Sequence, residues 1–103
     1  MTVNYEVLIK EFSEKMLKRL LEKRSKYGDS WLSVSIEQLR RRVIDEVAEW
    51  AYHTPYGFPI VLVMEAAKPK PTYNKEDEMK ELIDIANQCL LLYFRLKEVK
   101  SNG

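Results

Sequence analysis

The chain has 103 residues, 46% of them apolar and 32% charged, with 17 basic against 16 acidic side chains and a single cysteine. That length fits one domain over residues 1–103 with a modest core. The near-zero charge balance argues against a protein held to a nucleic acid polymer by bulk charge. One cysteine excludes an internal disulfide, the longest apolar run (Ile60 to Met64) is too short to cross a bilayer, and Met1 to Glu6 lacks the pattern of a secretory signal. The expectation is therefore a soluble cytoplasmic domain.

Three glycines and abundant Glu, Lys, Leu and Arg lean the chain towards helix. Tyr5, Ile9, Phe12, Met16 and Leu20 recur at steps of four and three, which predicts an amphipathic helix from about Tyr5 to Lys26, capped by Asn4 and ended by Gly28. A second helix is expected from Ile36 to His53. Ser35 and Gln38 stand at capping-box spacing, Leu39, Val43, Val47 and Trp50 form the apolar stripe, and Thr54-Pro55 stops it. In the stretch Tyr56 to Tyr73, Pro59 opens a short helix through Ala67 on the preferred reading. The β-branched run Ile60-Val61-Leu62-Val63 also suits a strand, but no second strand is there to pair with it. A last helix is expected from Lys75 to about Val99, with Asn74 as its cap and Glu76, Asp77 and Glu78 at the positive end of its dipole. From Leu82 to Leu96 it is apolar on nearly every face, as suits the central helix of a bundle.

The informative residues are the acids that interrupt these apolar faces. At about 100° per residue, Glu46 falls within the arc of Leu39, Val43 and Trp50, and Glu49 lies at its edge. On the last helix Glu81, Asp84 and Gln88 share one strip, with Asp77 one turn before and Arg95 two turns after. Each helix thus presents a carboxylate pair at i, i+3 spacing: Glu46-x-x-Glu49 and Glu81-x-x-Asp84. A single pair reads as ordinary solvated acid. Two pairs aimed at apolar faces do not, because a carboxylate turned to a core costs several kcal/mol unless paired or bound to a cation. Oxygen-only donors select a hard cation, with magnesium the first choice. On the first helix Lys23 follows the apolar stripe, flanked by Arg19 and Lys26. These side chains either meet phosphates bridged to the metal or snorkel at a helix end, with equal weight.

Taken together, Lys26-Tyr27-Gly28 before Trp31, the helix start at Ser33 or Ser35, Leu39, Val43, Glu46-x-x-Glu49 and Glu81-Leu82-Ile83-Asp84-Ile85-Ala86-Asn87 resemble the all-α nucleoside triphosphate pyrophosphatase superfamily, the MazG-like group. The resemblance runs from about Glu22 to Leu96. It departs from the pattern in the 31 residues between Glu49 and Glu81, which contain Pro55, Pro59, Pro69 and Pro71. It implies an all-α helical bundle completed by a homodimer or homotetramer, and an enzyme that cleaves a nucleoside triphosphate to the monophosphate and pyrophosphate. By the same resemblance Glu46, Glu49, Glu81 and Asp84 would bind magnesium, with manganese as substitute. The mechanism expected from charge gives Glu49, at the stripe edge, the role of orienting or deprotonating the water. Lys23, Lys26, Trp31, Asn87, Gln88 and Arg95 would be substrate-binding. The rival expectation is a non-catalytic helical oligomer that binds a nucleotide or a protein partner.

Other residues carry blander readings. Core packing is the commoner role for Trp31 than stacking on a base. His53, one turn after Glu49, is read as a partner of the helix dipole rather than a ligand of Glu49 or phosphate. Cys89 is read as an inert core thiol. Arg40-Arg41-Arg42 points in three directions and makes no basic face, with Arg42 alone on the Glu46–Glu49 side.

Overall fold

The computed structural model describes residues 2–54 and 72–99, and the expectation of a short helix from Pro59 to Ala67 lies outside them. Among the described residues the chain is all-helical. It comprises α1 (Tyr5–Tyr27), a short 3-10 turn (Ser30–Leu32), α2 (Ile36–Tyr52) and α3 (Lys75–Glu98). No helix among them is long and apolar enough to cross a membrane.

Each helix starts where a side-chain oxygen takes up an orphan amide. Asn4 Oδ1 accepts from the Val7 N–H, Ser35 Oγ from the Gln38 N–H, and Asn74 Oδ1 from the N–H groups of Glu76 and Asp77. Gly28 ends α1 at φ 67°, a left-handed value that a Cβ disfavours, while its N–H reaches back to the Arg24 carbonyl.

The core lies between α2 and α3, where Leu39, Ala48, Ala51 and Ile83 are buried. The small side chains of Ala48 and Ala51 allow close approach of the two helices, and α3 packs more closely on α2 than on α1. Of α1, only Met16, Arg19, Leu20 and Lys23 are even half-buried, so it leans on α3 through one face of its C-terminal half. Its N-terminal half is uncovered: Tyr5 and Ile9 are exposed. On α3, Leu82, Leu90, Phe94 and Leu96 are likewise exposed. The expectation for Cys89 is corrected here, because its thiol is exposed. Two neighbouring helices cannot cover all sides of α3, and Cys89 falls on an uncovered one.

The α1–α2 connection is tied to the C-terminal half of α3. Arg95 Nη1 donates to the carbonyls of Trp31 (2.7 Å) and Val34 (2.8 Å), and the Trp31 ring meets Phe94 edge-on at 5.7 Å. At the other end, Trp50 Nε1 and the Tyr73 hydroxyl both donate to the Glu78 carboxylate, at 2.9 and 2.8 Å. This joins the last turn of α2 to the first turn of α3.

Candidate metal centre

The same close packing of α2 on α3 brings the two carboxylate pairs together. Glu46 and Glu49 stand one turn apart on α2, opposite Glu81 and Asp84 on α3. Ligand atoms of Glu46, Glu81 and Asp84 lie within 4.8 Å of one another, and so do those of Glu49, His53 and Glu81. Glu81 belongs to both groups and is the point where they meet.

The charges are compensated unevenly. Asp84, 4% exposed, receives Arg19 Nε at 2.9 Å and Nη2 at 3.4 Å, with Lys23 Nζ 3.5 Å away. The carboxylate hydrogen bond raises the affinity of the Arg19 guanidinium for its proton. Among the described residues, the only ion-pair partner of Glu81 within 4.0 Å is His53, at 3.8 Å. Burial, reinforced by the charges of Asp84, Glu46 and Glu49, pushes the Glu81 carboxyl up to about 7. Burial also raises Glu46, although Lys23 pulls the other way. Two carboxyls that hold protons this firmly are carboxyls short of positive charge, which a bound divalent cation supplies. The oxygen donors of Glu46, Glu81 and Asp84 fit a hard cation, although Arg19 already occupies part of Asp84.

Beside Glu46 opens a hollow of about 450 Å³ lined by Lys23, Trp31, Arg42, Asp45, Gln88 and others. Gln88 Oε1 is buried with no hydrogen-bond partner among the described residues. Lys23, Trp31 and Gln88 therefore sit beside the acids, as the sequence suggested.

The other three candidates have other contacts. Arg95 is tied to the backbone of the α1–α2 connection, where Nη1 donates to two carbonyls. Asn87 is 1% exposed and donates Nδ2 to the Met16 carbonyl, which ties α3 to α1. Its Oδ1 is buried with no hydrogen-bond partner among the described residues. Lys26 is exposed and lies with its ammonium 5.9 Å from the centre of the Tyr27 ring, beside a smaller hollow that Lys23 also lines.

His53 forms the cap of α2, as a dipole partner would. Its ring, however, is turned to the acids, with Nε2 4.0 Å from Glu49 and 3.8 Å from Glu81. Sequence reasoning gave Arg19 only a flanking role. The signal was its i, i+4 spacing to Lys23, which puts both cations on one face of α1 opposite a single acid. The Trp50–Glu78–Tyr73 tie had no comparable signal, because Trp50 is 28 residues from Glu78 and no shared helix spacing relates them.

In comparisons with known proteins, no family profile, no curated protein and no solved structure matches the chain.

Proposed function

We propose that this protein is a magnesium-dependent nucleoside triphosphate pyrophosphohydrolase of the MazG-like kind. The observation that carries the reading is the approach of Glu46, Glu81 and Asp84 from two helices into one group, with Glu49 one turn away and Glu81 short of positive charge. These four residues would hold the cation. When bound, magnesium, or manganese as its substitute, would supply Lewis-acid polarisation of the phosphoryl group and charge for the leaving pyrophosphate.

The chain's own residues do the rest. Glu49, half-exposed at the edge of the group, accepts the proton of an attacking water. Lys23 neutralises outer phosphate charge from the wall of the adjoining hollow. Trp31 offers a ring face and Gln88 an unpaired carbonyl oxygen to the nucleoside. On this reading the protein acts in the cytoplasm on free nucleotides rather than on polymers. The test is pyrophosphate release from a panel of triphosphates with and without magnesium. Turnover that requires the metal is expected, and a folded protein inert towards every triphosphate overturns the reading.

A homodimer or homotetramer belongs to the same proposal. α1 has no buried residue, and a second copy against its apolar N-terminal half and the exposed Leu82 of α3 would cover what one chain leaves bare. Light scattering of the purified protein reads the mass directly.

One observation favours the rival, a non-catalytic helical oligomer that binds a nucleotide or a protein partner. Arg19 already neutralises Asp84 with two hydrogen bonds, as it would if that acid were structural. Magnesium that neither stabilises the protein nor supports turnover would decide for the rival.

A further inference from the structure

We infer that Glu49, His53 and Glu81 form a second cation site, one imidazole nitrogen with carboxylate oxygens, that takes a zinc-class divalent ion in preference to magnesium. Glu49 and His53 stand at i and i+4 on the last turn of α2, the spacing that turns two ligands to one side of a helix, and Glu81 comes from α3 across the interface. Two ligands from one helix and a third from its neighbour make a three-sided cradle with room left for water or substrate.

The distances are close to those required. In a tetrahedral site with bonds of about 2.1 Å, neighbouring ligand atoms are about 3.4 Å apart. His53 Nε2 lies 3.8 Å from Glu81 and 4.0 Å from Glu49, and all three ligand atoms fall within 4.8 Å. Those separations are too long for hydrogen bonds, so the three groups face one another across a gap rather than bonding together. The backbone N–H of His53 donates to the carbonyls of Glu49 and Trp50, which fixes the main chain at this position, and the Tyr52 ring packs edge-on against the imidazole at 5.6 Å.

This site shares Glu49 and Glu81 with the magnesium ligands proposed above, so the two ions compete for them, and donor type decides which ion prefers which set. Glu46, Glu81 and Asp84 offer oxygen alone, which suits magnesium, and Arg19 competes for Asp84. The trio offers nitrogen as well, which suits zinc, and no arginine or lysine pairs with Glu49 or Glu81 among the described residues. The inference concerns which ions bind, and it does not rest on hydrolysis of a triphosphate.

The test is calorimetric titration of the nucleotide-free full chain with zinc chloride and, separately, magnesium chloride, near pH 8. A Cys89→Ser background removes the exposed thiol as a zinc ligand. His53→Ala is expected to weaken zinc about tenfold or more and leave magnesium within about twofold, because only zinc gains from the nitrogen. Glu46→Gln is expected to do the reverse. His53→Gln, which keeps a polar side chain at the helix end, should lose the zinc-induced rise in melting temperature while its metal-free melting stays near that of the parent. Zinc bound as tightly by either His53 variant as by the parent, or not bound by the parent at all, overturns the inference. Failure of magnesium-dependent turnover instead strikes the hydrolase reading and leaves the zinc result standing.

Discussion

The two halves of α3 treat charge in opposite ways. Towards its C-terminus, Arg95 reaches two backbone carbonyls at 2.7 and 2.8 Å, and Trp31 seals the connection against Phe94. The Arg95 charge is spent on backbone acceptors, and the result is a clamp. Towards its N-terminus, Glu81 is half-buried among Asp84, Glu46 and Glu49, with the His53 ring at 3.8 Å as its one basic neighbour within 4.0 Å among the described residues and its carboxyl pushed up to about 7 by burial and those acids. Even one turn makes the difference: Asp84 has Arg19 and Lys23, while Glu81 has neither. A satisfied charge holds a fold together. An undercompensated one on the same helix lowers stability, and it is on this contrast that the proposed cation site rests.

The contrast is broken most forcefully at Glu81. Glu81→Gln should cost about a thousandfold in magnesium-dependent pyrophosphate release, several kcal/mol of transition-state stabilisation, while the metal-free protein melts no lower than the parent. A steady-state assay beside a melting curve checks both halves. Arg95→Ala tests the clamp. It strands two carbonyls and should cost about 1–3 kcal/mol in urea denaturation, with magnesium affinity little changed because the acids sit on the other half of the helix.

The pH dependence sharpens the comparison further. Glu81 and Glu46 titrate higher in the folded chain than in the unfolded one, so the folded state holds more protons as pH climbs above the ordinary carboxylate range. The Glu81 contribution is fully present below about pH 4.5, the ordinary carboxylate value, and is lost as pH rises through about 7, with Glu46 acting in the same direction. Metal-free protein should therefore lose stability across that window. Glu81→Gln should flatten the loss, and added magnesium should reverse it at the upper end. The smallest effect is expected at the start of α3, where Asn74→Ala removes a cap worth about 1 kcal/mol without touching the acids.

Much of this molecule was legible without coordinates. Apolar steps of three and four, with Asn4, Ser35 and Asn74 as caps and Gly28 as a stop, specify the three helices to within a residue or two, because caps and periodicity are local physics. The i, i+3 pairs Glu46/Glu49 and Glu81/Asp84 were equally local, and their intrusion on apolar stripes said that they face another helix. What only tertiary structure decided was who meets whom. It gave Asp84 to Arg19, turned His53 from the helix end towards Glu49 and Glu81, spent Arg95 on the α1–α2 connection, and left Cys89 outside. Spacing along a helix determines the face on which a side chain lies. The angle and distance at which two helices pack determine what stands opposite, and those are set by contacts distant in sequence, such as Ala48 and Ala51 on α2 and Ile83 on α3.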